Sequence, residues 1–128
     1  MTFTIGTAIA VGAGGFCGAI LRYYVGTLTF KYFPNALPLA TLTVNLAGSF
    51  LIGILIAIFM NFELPSYLKL FLITGFLGAL TTYSTFAIET YFLLGNSIWY
   101  GILNIAGNLI GSIGMAALGY KIIISIIK

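Results

Sequence analysis

The chain has 128 residues, of which 61% are hydrophobic and only 5% are charged. Soluble domains carry roughly 25% charged residues, so this composition excludes an ordinary soluble fold and indicates an integral membrane protein. The net charge of +3 comes from five basic residues scattered along the chain. They form no basic patch or stripe, which argues against nucleic-acid binding.

Four long apolar segments follow one another, separated by short breaks that contain Pro34, Pro38, Pro65 and Gly95. A helix needs about 20 apolar residues to cross a bilayer, and the segments cover residues 3–29, 39–61, 67–94 and 98–124. They lack the strict alternation of barrel strands. We therefore predict an all-α integral membrane fold: one four-helix transmembrane domain over residues 1–128. The N-terminal segment has no basic residues before it, so we expect a retained span and not a signal peptide.

The basic residues give almost no instruction about orientation. In a four-span chain, Lys69, Lys121 and Lys128 lie on one side of the membrane, and Arg22 and Lys31 lie on the other. Three against two is too small a bias to fix the topology. We therefore expect dual topology, and an antiparallel homodimer as its natural product.

The third span has a polar interruption at membrane depth, over residues 75–86. Gly75 and Gly78 each weaken a helix by roughly 1 kcal/mol relative to alanine, and Thr81 and Thr82 follow with hydroxyls that compete for backbone groups. The pattern predicts a break in this helix. Such breaks expose backbone carbonyls and amides, from which membrane proteins build ion sites.

Two other spans carry polar ladders at i, i+4 spacing. The ladder of the second span is Thr41, Asn45 and Ser49, and that of the fourth span is Asn104, Asn108 and Ser112. Polar groups at membrane depth usually face a bundle interior or a water-filled cavity. Each ladder alone is also compatible with helix–helix packing, but two in one small bundle favour a polar pathway.

Three further features bear on function. Arg22 lies near the end of the first span, where it is either an interfacial arginine or part of an anion-attracting vestibule. The chain has no histidine, and Glu89 has no acidic neighbour, so we find no catalytic constellation and predict no enzyme activity. Cys17 is the only cysteine, which excludes an intrachain disulfide and leaves packing as its expected role.

Three motifs in order make the chain resemble the fluoride-channel family (Fluc, also called CrcB). They read Gly-Gly-x-x-Gly-Ala-x-x-Arg-Tyr at residues 14–23, Thr-Leu-x-Val-Asn-x-x-Gly-Ser-Phe-x-x-Gly at 41–53, and Gly-Phe-x-Gly-x-x-Thr-Thr-aromatic-Ser-Thr-Phe at 75–86. The resemblance implies a fluoride-selective channel in the cell (inner) membrane that passively releases fluoride from the cytoplasm. It also implies a dual-topology antiparallel homodimer with two pores and a structural Na⁺ at its centre.

The resemblance also implies roles for particular residues. The backbone carbonyls of Gly78 and Thr81 correspond to the sodium ligands, and Arg22 corresponds to the vestibule arginine. The residues expected along the fluoride pathway are Asn45, Tyr83, Ser84, Thr85, Phe86, Asn104, Asn108 and Ser112.

One position departs from the family pattern, because Tyr83 stands where the family has phenylalanine. Tyrosine keeps the positive ring edge that can face an anion and adds a hydroxyl donor. We therefore expect conduction to be retained at an altered rate.

Two other classes of protein compete with this interpretation. A four-span multidrug transporter has a similar length, but its proton-coupled chemistry needs a carboxylate in the first span, and none is present. A non-conducting membrane subunit would use the polar ladders only as contacts between helices, each contributing on the order of 1 kcal/mol.

Overall fold

The computed structural model describes residues 2–34 and 37–128. It has four long apolar helices, each long enough to cross a membrane: α1 (Ile5–Tyr32), α2 (Leu39–Asn61), α3 (Ser66–Asn96) and α4 (Ile98–Ile127). The described ranges contain helices and connecting segments and no strand. The chain is thus an all-helical, multi-pass membrane protein. Several helix ends differ by a few residues from the expected spans, and the predicted domain also includes Met1, Asn35 and Ala36, which lie outside the described residues.

Local signals set the start of the helices. The Thr4 hydroxyl accepts a hydrogen bond from the Thr7 amide, and the Thr7 side chain accepts one from the Thr4 amide, so α1 begins with a capping box. Pro38 directly precedes α2 and Pro65 directly precedes α3. Proline restricts the backbone before it to extended conformations, which separates the consecutive helices.

The third helix is interrupted in its middle. Its first half covers residues 66–80 and is π-helical over Leu70–Leu77. Thr81 and Thr82 then have extended backbones, with φ/ψ of −79°/155° and −148°/115°. The second half (Tyr83–Asn96) restarts with Thr82 as its N-cap, because the Thr82 hydroxyl accepts a hydrogen bond from the Thr85 amide.

Glycines allow two pairs of helices to approach backbone to backbone. A Cβ on Gly14 or Gly18 of α1 would collide with a carbonyl oxygen of α3, and a Cβ on Gly75 of α3 would collide with one of α1. In the same way, a Cβ on Gly53 of α2 would collide with a carbonyl oxygen of α4, and a Cβ on Gly119 of α4 would collide with one of α2. The bundle is therefore built from two tightly packed pairs, α1 with the first half of α3 and α2 with α4.

The interior of the bundle is unusually polar. Among the described residues, the buried apolar side chains are Val44, Ala57, Leu77, Leu80 and Phe86, and as many buried side chains are polar: Thr41, Thr82, Thr90, Asn104 and Asn108. The outer surface, in contrast, exposes large apolar side chains along all four helices. An apolar exterior suits lipid, and a polar interior needs internal hydrogen bonds or water because lipid offers none.

Candidate functional site

A cavity of about 390 Å³ opens beside the break in α3. Helices α2, α3 and α4 all contribute to its wall. The sequence-predicted residues that line it are Asn45, Gly78, Thr81, Tyr83, Phe86, Asn108 and Ser112. The cavity therefore brings the second-span ladder, the helix break and the fourth-span ladder together, with room for several water molecules.

Asn45 connects α2 to the break through two reciprocal hydrogen bonds. Its Oδ1 accepts from the Thr82 amide at 2.8 Å, and its Nδ2 donates to the Thr82 carbonyl oxygen at 3.1 Å. The side-chain amide thus replaces the helical partners that Thr82 gives up. A backbone interruption at membrane depth is stable only when such groups are satisfied within the protein.

The break takes the usual helical donors away from the carbonyls of Gly78 and Thr81. In an uninterrupted helix the amides of Thr82 and Thr85 would donate to the carbonyls of Gly78 and Thr81. Here the Thr82 amide donates to Asn45 and the Thr85 amide donates to the Thr82 hydroxyl. The Arg22 guanidinium approaches the Thr81 carbonyl oxygen at 3.5 Å, which brings the arginine from α1 to the break.

The two aromatic residues that follow the break contact each other edge to face. The ring centroids of Tyr83 and Phe86 are 5.5 Å apart, with an angle of 66° between the ring planes. Phe86 is buried, whereas 74% of Tyr83 is exposed on the outside of the single chain. One ring thus belongs to the interior wall of the cavity, and the other lies at its open side.

The fourth-span ladder divides into residues at the cavity and a residue behind it. Asn108 and Ser112 line the cavity, while Asn104 is buried and donates to the Thr90 hydroxyl at 2.9 Å. Sequence reasoning did not single out Thr90 as a site residue. Its i+4 spacing from Phe86 was the available signal, since the Thr90 hydroxyl donates to the Phe86 carbonyl oxygen at 2.8 Å.

Ser84 and Thr85 lie outside this constellation. Both are exposed on the single chain and neither lines the cavity, although the Thr85 hydroxyl accepts a hydrogen bond from Thr82 at 2.9 Å. One turn further along α3, Glu89 accepts a hydrogen bond from the Thr41 hydroxyl at 2.8 Å. The polar face of α2 therefore contacts α3 at Thr82 and again at Glu89.

The fold and the cavity define a small multi-pass membrane protein with a broken helix beside a polar cavity. A family model described as CrcB-like protein, Camphor Resistance (CrcB), matches residues 9–120. The chain belongs to the CrcB family, because this match covers most of its length.

Relatives from bacteria and archaea cover almost the whole chain. A protein of Sulfurimonas denitrificans is 51% identical over 119 residues, which is 91% of this chain and 92% of that protein. A protein of Nautilia profundicola is 43% identical, with 95% and 97% covered. A protein of Methanocaldococcus jannaschii is 40% identical, with 94% and 96% covered. All three bear the name fluoride-specific ion channel FluC.

Proposed function

We propose that this protein is a fluoride-specific ion channel of the cell membrane, and not an enzyme, and that it releases fluoride passively from the cytoplasm. The observation that carries the proposal is the cavity beside the broken helix, lined by neutral hydrogen-bonding side chains, in a chain whose relatives bear the name of fluoride-specific channels.

The chemistry of the cavity suits a small, strongly hydrated anion. Such an ion leaves water only where other donors of hydrogen bonds replace its hydration shell. Ser112 provides a neutral hydroxyl, and the edges of the Tyr83 and Phe86 rings carry partial positive charge. The amides of Asn45 and Asn108 become donors to the ion when they release one of their hydrogen bonds inside the protein. Arg22, the only arginine, binds at the break and does not line the cavity. Neutral donors hold an anion weakly enough for it to leave, which conduction requires.

An antiparallel homodimer accounts for the polar groups on the outside of the single chain. Gly78, Ser84 and Thr85 are exposed in the middle of a transmembrane helix, and so is most of Tyr83. Hydroxyl groups facing lipid at this depth are costly. A second copy packed over this face would cover them, close the open side of the cavity and bring both copies of residues 83–86 to the path of the ion. The weak charge bias supports insertion in both orientations, which such a dimer needs.

A structural Na⁺ fits the carbonyls that the break frees. Unwound backbone carbonyls are typical sodium ligands in membrane proteins, and the carbonyls of Gly78 and Thr81 have lost their usual helical donors to Asn45 and Thr82. The nearby Arg22 charge opposes a cation held by a single chain. The carbonyls of two copies, meeting at the dimer axis, would supply a larger set of oxygen ligands. Bound there, the cation would attract the carbonyl oxygens of both copies and so stabilise the contact between their broken helices.

Efflux from liposomes tests the proposed function directly. Purified protein is reconstituted into vesicles loaded with potassium fluoride or potassium chloride, and efflux is started with valinomycin. We expect rapid fluoride efflux that depends on valinomycin, and no chloride efflux above that of empty vesicles. Electroneutral, proton-coupled efflux would contradict a passive channel, and absence of fluoride efflux from intact dimers would favour a non-conducting subunit.

The sodium proposal has a separate test. We expect thermal unfolding of the dimer at a higher temperature in NaCl than in an equal concentration of CsCl, because the larger ion does not fit a sodium-sized set of carbonyls. Identical unfolding temperatures in the two salts would contradict a sodium site at Gly78 and Thr81.

A further inference from the structure

We propose that Thr90 and Asn104, which do not line the cavity, are positioning residues that fix the pore side chains Asn45 and Phe86 through a continuous chain of hydrogen bonds. This inference rests on the proposed channel function. It assigns to the two residues a role in conduction, although neither contacts the cavity.

The hydrogen bonds form an unbroken relay through three helices. Asn45 Nδ2 donates to Asn108 Oδ1 at 2.8 Å, and Asn108 Nδ2 donates to Asn104 Oδ1 at 3.1 Å. Asn104 Nδ2 donates to the Thr90 hydroxyl at 2.9 Å, and this hydroxyl donates to the Phe86 carbonyl oxygen at 2.8 Å. Within this relay Thr90, Asn104 and Asn108 are buried, so water does not compete for their bonds.

The backbone fixes the direction of the relay. The Thr82 amide can only donate, so the atom of Asn45 that faces it must be Oδ1, and Nδ2 must face Asn108. The same logic then orients Asn108 and Asn104 in turn. A change of hydrogen bonding at Thr90 is thereby transmitted to the side chain of Asn45.

Asn45 has no spare donor in this arrangement. Its Nδ2 carries two protons, and these point at the Thr82 carbonyl oxygen and at Asn108 Oδ1. An anion in the cavity can receive a hydrogen bond from Asn45 only if one of these bonds is released. The strength of the Asn45–Asn108 bond, which Asn104 and Thr90 set, therefore controls how readily Asn45 turns to the ion.

The two ends of the relay lie in the same turn of α3. The relay starts at the backbone amide of Thr82, the N-cap of the second half of the helix, and ends at the carbonyl of Phe86. Asn108, its middle member, lies in the π-helical turn Gly107–Gly111 of α4. π-helical turns frequently mark functional sites because they re-aim side chains. The relay thus holds the Asn45 amide and the Phe86 ring in a fixed position relative to each other.

Substitutions at Thr90 separate this role from simple packing. Thr90→Val keeps the shape and removes the hydroxyl, whereas Thr90→Ser keeps the hydroxyl. Thr29 of α1 provides a matched control, because its hydroxyl also donates to a carbonyl four residues earlier but has no part in the relay. In the liposome assay we expect fluoride efflux to fall about tenfold or more in Thr90→Val, and to stay near wild type in Thr90→Ser and in Thr29→Val.

A double-mutant cycle tests the coupling. Asn104→Leu and Thr90→Val each break the same relay, so we expect the double variant to lose little more efflux than either single variant. Efflux losses that multiply would show independent actions and overturn the proposal. So would wild-type efflux in Thr90→Val, or equal losses in Thr90→Val and Thr90→Ser. If Thr90→Val does not assemble, Asn104→Leu is the deciding variant: a loss of efflux supports the proposal, and wild-type efflux overturns it. We expect Asn104→Leu to assemble, because the backbone carbonyl of residue 104 still accepts a hydrogen bond from Asn108.

Side-chain amide signals test the relay without any flux. In protein labelled with ¹⁵N-asparagine, the Asn45 signals are assigned by their loss in Asn45→Asp. We expect Thr90→Val to shift the Asn45 signals and Thr29→Val to leave them unchanged. Unshifted signals in Thr90→Val would overturn the relay. If wild-type protein passed no fluoride while these shifts occurred, the channel function would fail and the relay would stand.

Discussion

Asn45 makes three hydrogen bonds with one short side chain, two to the Thr82 backbone and one to Asn108. Each uses a different capability of the amide: an acceptor oxygen and two donor protons. A carboxylate of the same shape has only acceptors. It would face the Thr82 carbonyl oxygen and Asn108 Oδ1 with no proton to share.

We therefore expect Asn45→Asp to abolish fluoride efflux while the dimer remains assembled. The variant leaves polar groups at the break unpaired, which costs about 1–3 kcal/mol of folding free energy. Efflux from liposomes and size-exclusion chromatography measure the two effects. Asn61→Asp is the matched control, because Asn61 bonds one carbonyl at the exposed end of α2. Normal efflux in Asn45→Asp would contradict the proposed role of Asn45.

The aromatic pair gives a second prediction at this scale. Phe86 is buried at the cavity wall, so Phe86→Ile removes the polarised ring edge at fixed apolar character, and we expect it to abolish efflux. Tyr83→Phe removes only a hydroxyl, and we expect conduction to continue, with a rate within about tenfold of wild type. Liposomes that passed fluoride only after Tyr83→Phe, or normally in Phe86→Ile, would contradict these roles.

At the scale of the helices, α1 packs backbone to backbone against the first half of α3, up to the residue before the break. A Cβ on Gly18 of α1 would collide with the carbonyl oxygen of Phe76 and come close to the amide of Leu80, the last residue before the break. The first half of α3 is thus held directly against α1. Any side chain at Gly18 has to push the two helices apart.

We expect Gly18→Ala to destabilise the protein by about 1–3 kcal/mol through this overpacking. Gly12→Ala provides the control in the same helix, since a Cβ on Gly12 meets no atom within 4 Å. That control replaces a weak helix former by a strong one, so we expect it to be neutral or stabilising. Thermal unfolding in detergent compares the two variants. Equal unfolding temperatures would argue against close contact between α1 and α3.

Much of this architecture could be predicted from the sequence, because each signal is local. Apolar length predicts the four helices, and the Gly78 to Thr81 segment predicts the break. The partners of Asn104 could not be predicted, because i, i+4 spacing gives the face of one helix but not its rotation against the next. The π-helical turn Gly107–Gly111 adds to this difficulty, since it changes the helical phase between Asn104 and Ser112. Thr90 was therefore missed, although it lies one turn from Phe86.

At the scale of the whole molecule, the proposed antiparallel dimer would make assembly depend on the orientation in which each chain inserts. In a chain that crosses the membrane four times, Lys69, Lys121 and Lys128 would lie towards one side, and Arg22 and Lys31 towards the other. An antiparallel dimer requires chains of both orientations. If the protein is such a dimer, any substitution that forces a single orientation should remove the partner that would cover the exposed residues of α3.

Two variants with opposite charge bias test this requirement. Lys31→Gln with Ser66→Lys leaves four basic residues on the side of Lys128 and one on the other. The triple variant Lys121→Gln, Lys128→Gln and Asn96→Lys leaves one basic residue on the side of Lys128 and three on the other. The positive-inside rule then orients the two variants oppositely, which a C-terminal reporter measures. We expect no fluoride efflux from membranes containing either variant alone, and efflux when both are expressed together. Full efflux from one variant in a single, uniform orientation would contradict the antiparallel dimer, because no oppositely inserted copy would be present to complete the pore.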